Sequence, residues 1–142
     1  MLRSTVMTFV LTAGFGTIAA AETMQFHATM DGAHEVPPKQ SSGTGTANAT
    51  LDTATKELNY TVDWSGLTGP ATAAHFHGPA DPGVNAGIVV PIDGKNPTSP
   101  AKGSATLTDA QMKDLEDGKW YVNVHTAENP GGEIRGQVVK GK

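Results

Sequence analysis

The sequence predicts an all-β fold, a β-sandwich of about seven to eight short strands with one short crossover helix. Two observations carry this. Apolar and polar residues alternate in run after run, the period of a strand with one face buried. Seventeen Gly and nine Pro punctuate those runs with turns, beside only four Phe, two Tyr and two Trp to fill a core. At 142 residues the chain is long enough for one domain and too short for two.

The first alternating run places Met24, Phe26, Ala28 and Met30 on one face and Gln25, His27 and Thr29 on the other. Ala47, Ala49 and Leu51 repeat the pattern, as do Leu58, Tyr60, Val62 and Trp64, and the two runs read as a hairpin joined through Asp52-Thr53-Ala54-Thr55. Segments 87–92, 103–107, 119–125 and 133–139 supply further strands, each bounded by Gly, Pro, Asn or Asp. One segment departs from period two. Thr108-Asp109-Ala110-Gln111 fits a capping box, with Leu107 and Met112 as its hydrophobic staple and Gly118 at the C-terminal stop. A short helix therefore crosses between two strands there.

The N-terminus is of another kind. Arg3 is followed by an uncharged, mostly apolar stretch from Val6 to Ala20, and Ala19-Ala20-Ala21 offers the small residues a signal peptidase reads. Residues 1–21 are expected to be a signal peptide, cut before Glu22, which leaves 22–142 as one domain in the periplasm or secreted beyond it. The apolar stretch, broken by Thr and Gly, is short for a membrane span, and no later segment is apolar enough to be one.

Without Arg3, nine basic residues face 14 acidic ones, a balance that excludes nucleic acid and anionic lipid as expected partners. The chain has no Cys, so it has no disulfide, no thiolate nucleophile and no thiolate metal ligand. Ser41, Ser42, Ser65, Ser99 and Ser104 all lack the strand-turn-helix setting of a nucleophile elbow.

Histidine remains. In Ala74-His75-Phe76-His77, strand periodicity points both imidazoles to one face and Phe76 to the core, with the His Cα atoms about 7 Å apart, a spacing suited to one metal ion. In 120–125, Tyr121, Asn123 and His125 share the face opposite Val122 and Val124. His75, His77 and His125 could thus give three nitrogen ligands with an open position, as copper(II) or a catalytic zinc requires. His34 is a fourth candidate if its loop folds back toward the pair, while a purely hydrogen-bonded role for the histidines stands as the plainer alternative. Glu133 and Arg135 alternate with Ile134 and share a face. Arg135 is expected either to draw an anion toward the histidines or, by preference, to pair with a carboxylate such as Asp63, Asp81 or Glu35.

Four segments, Gly32-Ala33-His34-Glu35-Val36-Pro37-Pro38, Ala73-Ala74-His75-Phe76-His77-Gly78, Tyr121-Val122-Asn123-Val124-His125-Thr126 and Gly132-Glu133-Ile134-Arg135-Gly136-Gln137, occur in an order that resembles the CHRD (chordin) domain. The resemblance spans about Gln25 to Val139. It implies a Greek-key β-sandwich, immunoglobulin-like or superoxide-dismutase-like, in a single-domain secreted protein. His34 stands where a non-histidine polar residue is more usual in the family.

A more distant likeness is to copper/zinc superoxide dismutase, in which a His-x-His strand, a later His at a strand end and a near-C-terminal Arg build the copper site. Here His75, His77, His125 and Arg135 follow that order, without the disulfide cysteines or the zinc-binding loop. Only a mononuclear site carries over, and full dismutase activity is not expected. The sequence thus supports a periplasmic protein that binds a transition metal, copper first and zinc second, in metal handling or weak redox chemistry. Two other readings stand beside it: a structural or interaction module for an extracytoplasmic protein partner, and a copper-only dismutase-like enzyme with Arg135 guiding the anion.

Overall fold

The computed structural model of the chain describes residues 14, 16, 17 and 20–141, so the expected signal peptide lies for the most part outside the described residues. Among the described residues, eight strands and one α-helix follow in order: β1 (Thr23–Asp31), β2 (Thr44–Asp52), β3 (Glu57–Ser65), β4 (Ala71–His77), β5 (Ile88–Pro91), β6 (Ala101–Thr106), α1 (Asp109–Glu116), β7 (Trp120–Thr126) and β8 (Ile134–Lys140), with a 3-10 turn at Gly32–His34 after β1. No helix among the described residues is long and apolar enough to cross a membrane.

Period-two patterning is realised as expected. Along β1, Met24, Phe26, Ala28 and Met30 are buried while the residues between them face solvent. Along β3, Leu58, Tyr60 and Val62 do the same. The β2–β3 hairpin closes through Asp52, whose Oδ1 accepts from the N–H groups of Ala54 and Thr55. In α1, Thr108 Oγ1 accepts from the Gln111 N–H and Gln111 Oε1 accepts from the Thr108 N–H, which completes the capping box. Gly118 ends the turn beyond the helix at φ 72°, a left-handed conformation that costs glycine nothing.

All eight strands belong to one antiparallel sheet in the order β5-β4-β7-β8-β1-β2-β3-β6. The pairings β4–β7, β8–β1 and β3–β6 join strands distant in sequence, the mark of long crossovers of Greek-key type. The sheet curls until its edges approach, and Tyr60 Oη of β3 donates to the Pro91 carbonyl of β5 at 3.4 Å. The all-β sandwich is therefore a single, nearly closed sheet rather than two separate ones. Its halves meet across the core, where the Tyr60 and Phe76 rings pack edge to face at 5.3 Å and Phe76 lies 6.1 Å from Trp120.

One strand matters most for the site. Every residue of β7 is buried. Trp120, Val122 and Val124 enter the core, whereas Tyr121, Asn123 and His125 point to the outer face, where loops instead of solvent cover them.

Candidate metal centre

β4 and β7 position the histidines. Phe76 is 1% exposed in the core, so its neighbours His75 and His77 emerge together on the outer face. Antiparallel pairing sets His75 opposite Asn123, His77 opposite Tyr121 and Ala73 opposite His125, which brings His125 diagonally beside His75. His75 Nδ1 lies 3.1 Å from His125 Nε2. One nitrogen from each of His75, His77 and His125 falls within 4.8 Å of the others, a set that can surround one metal ion.

Backbone carbonyls fix the rings. His125 Nδ1 sits 2.9 Å from the Pro130 oxygen and His77 Nδ1 sits 2.9 Å from the Ala86 oxygen. A carbonyl only accepts, so each Nδ1 carries the proton; for His125 this leaves Nε2 its lone pair, the arrangement that metal-binding histidines commonly adopt. Nε2 of His77 lies 3.0 Å from Asn123 Oδ1, also an acceptor; a neutral ring has one proton for these two oxygens, so Nε2 offers a lone pair to an ion only once the Asn123 amide turns away.

Burial keeps the rings neutral. It pushes the His75 imidazole down to about 4, with His125 and His77 adding to the shift. Burial also lowers His77, against hydrogen bonds to the Ala86 carbonyl and Asn123 Oδ1 that favour the charged ring, and it lowers His125 against the Pro130 carbonyl. At neutral pH three uncharged imidazoles therefore converge, the form a metal ion needs.

Around them stands a stacked support. The Tyr121 ring is parallel to His77 within 3° at 4.7 Å, and Arg135 Cζ lies 3.5 Å from the Tyr121 centroid on a cation–π contact. Arg135 is 2% exposed; Nη1 donates to Asn85 Oδ1 at 2.7 Å and Nη2 to the Val84 carbonyl at 2.6 Å. Tyr121 Oη donates to the Ala86 carbonyl and accepts from its N–H. Together they hold loop 78–87 over the pocket.

The expected carboxylate partner for Arg135 is not in direct contact. Asp81 pairs with Lys119, Asp63 is exposed on β3, and Glu35 attracts the guanidinium only at longer range. Arg135 is a clamp on the loop, with its buried head turned to Asn85 and Val84 rather than to an open mouth. Glu133, fully buried, accepts from Ser41 Oγ at 2.7 Å, from the Thr68 N–H at 2.9 Å and from Thr68 Oγ1 at 3.0 Å. Burial opposes its ionisation, but hydrogen bonds from Ser41, Thr126 and Thr68 prevail and hold the carboxyl below its usual range. Glu133 ties two loops together and makes no bond to the histidines.

His34 does not join the cluster. It ends the 3-10 turn with its side chain 65% exposed, and its Nδ1 pairs with Asp31 Oδ1 at 2.7 Å, because Asp31 caps that turn and holds it away from the pair. The residue after it does point inward. Glu35 is 4% exposed, pushed up by burial against the pull of Arg135 and Asn123. It packs against Gly132, whose φ of 123° and contact with Glu35 and Asn123 leave no room for a Cβ. Asn123, Tyr121 and Asn85 carry no role in the sequence reading, although Tyr121 and Asn123 share the His125 face by simple alternation, and Glu35 enters it only as a possible partner of Arg135.

The fold and the site define an all-β domain with a three-histidine pocket on the outer face of its sheet. The CHRD domain family matches residues 26–138, and the chain belongs to that family. No curated protein and no solved structure matches it.

Proposed function

We propose that the protein binds a transition metal, copper first and zinc second, through His75, His77 and His125, and that it serves in metal handling or weak redox chemistry in the periplasm or beyond it. The observation that carries this reading is the convergence of three neutral imidazole nitrogens within 4.8 Å, two of them oriented by backbone carbonyls. Imidazole donors with an open position suit copper and zinc. The extracytoplasmic location rests on the leader-like residues 1–21.

Calorimetric titration of the purified protein with copper and zinc salts, alongside the His75→Ala/His77→Ala variant, tests the reading. One equivalent bound at about micromolar affinity or tighter, and lost in the variant, is the expected result. Absence of binding, or binding indifferent to the substitutions, overturns it.

A second reading has its own support. Both ring nitrogens of His77 have partners within the protein, Ala86 and Asn123, as a purely structural histidine would. On that reading the domain is an interaction module for an extracytoplasmic protein partner, and the same titration returns no binding. The dismutase-like reading has less support, since the Arg135 head is buried and its Nη atoms are engaged by loop 78–87.

A further inference from the structure

We infer that the pocket is matched to monovalent copper, Cu(I), over divalent copper, a refinement that rests on the metal-binding reading above. The first ground is the donor set. His75, His77 and His125 form the cluster with no acidic residue among the described residues joining them. Glu133 is committed to Ser41 and Thr68 and Asp81 to Lys119, while Glu35, buried with its Oε1 unpartnered, sits beside Asn123 and Arg135 and is not one of the clustered groups. A bound ion therefore keeps its whole charge. Imidazoles share electron density with it but cancel none of that charge.

Burial makes that charge costly. His77 and His125 are 8% and 9% exposed and His75 is half-buried, and the cost of taking an ion out of water grows as the square of its charge. A divalent ion thus suffers about four times the penalty of a monovalent one in the same cavity.

A fixed cation adds to the discrimination. Arg135 lies against the far face of Tyr121, which is itself stacked on His77, and its guanidinium is held there by Val84 and Asn85. Repulsion from Arg135 is twice as large for a divalent ion as for a monovalent one at the same place. The arginine is always charged, so this bias does not depend on pH.

Coordination number points the same way. Three nitrogens, two of them 3.1 Å apart, can enclose an ion content with few ligands. Cu(II) prefers a tetragonal set of nitrogen and oxygen donors, and here it would have to complete that set from solvent.

The test is a pair of competition titrations on the full protein at one pH: Cu(I) against a chromophoric Cu(I) chelator without oxygen, and Cu(II) against a Cu(II) chelator in air. The expected result is a dissociation constant at least tenfold lower for Cu(I), equivalent to a rise in reduction potential of about 59 mV for each tenfold. Arg135→Gln, which removes the charge, narrows the ratio. A ratio below tenfold in the intact protein overturns the inference while leaving the metal-binding reading in place. Failure of both oxidation states to bind overturns that reading as well. The intact protein decides the question even if a variant does not fold.

Discussion

Tyr121 and His77 lie face to face, 4.7 Å apart and within 3° of parallel, because antiparallel register sets them directly opposite on neighbouring strands. This pair joins the histidine pocket to the loop that covers it, since the Tyr121 hydroxyl exchanges hydrogen bonds with Ala86 and His77 Nδ1 meets the same carbonyl. Tyr121→Phe keeps the stack and loses the hydroxyl; it is expected to cost about 1 kcal/mol in urea unfolding and to leave metal affinity nearly intact. Tyr121→Ala removes the ring that orients His77 and is expected to weaken metal binding by about 10- to 100-fold. Equal affinity in the alanine variant would show that the stack has no part in the site.

Acid should empty the site late. Folded His75 titrates at about 4 against 6.5 for a free imidazole, and burial lowers His77 and His125 as well. With a depressed folded pKa, the unfolded chain takes up protons first as pH falls, so stability from the neutral rings is full above 6.5 and declines through the window down to about 4. Chemical denaturation of the metal-free protein across that window should show the decline, and His75→Ala should flatten part of it. Metal retention followed by equilibrium dialysis should likewise hold at 6.5 and fail toward 4.

Glu133 offers a stability test away from the metal. Glu133→Ala leaves Ser41 Oγ and the Thr68 N–H and hydroxyl without their buried acceptor, at a cost of about 2–3 kcal/mol in urea unfolding. Its folded pKa lies below the ordinary 4.5, so its contribution is present above that pH and fades as pH falls below it. An unchanged midpoint in the variant would mean that the two loops do not depend on Glu133.

His34→Ala is expected to leave metal titrations unchanged, because His34 is exposed and occupied with Asp31. A loss of affinity in that variant would place the turn at Gly32–His34 closer to the histidines in solution than it is here.

Strand positions and the capped helix were legible because each rests on local chemistry: alternation for β1 and β3, Thr108 with Gln111 for α1. The His75/His77 pair was legible for the same reason, since one strand sets both side chains on one face. The burial of Glu35 beside the pocket was not, because it depends on Gly132 and Asn123, about a hundred positions away in sequence. Arg135 was misjudged in its partner. Charge alone favours a carboxylate, whereas the fold presents the Val84 carbonyl and the Asn85 side chain first. Nor does periodicity reveal that the sheet nearly closes, since closure depends on how β5 and β6 meet after long crossovers.

That near closure bears on how the molecule behaves in company. The terminal strands of the sheet are only four and six residues long, β5 stops at Pro91, and Tyr60 reaches across toward it. A long free strand edge would invite a strand from another molecule to dock and seed fibrils. Here that template is short, proline-ended and turned back on its own sheet, so the fold carries protection against amyloid-like stacking when the protein is crowded.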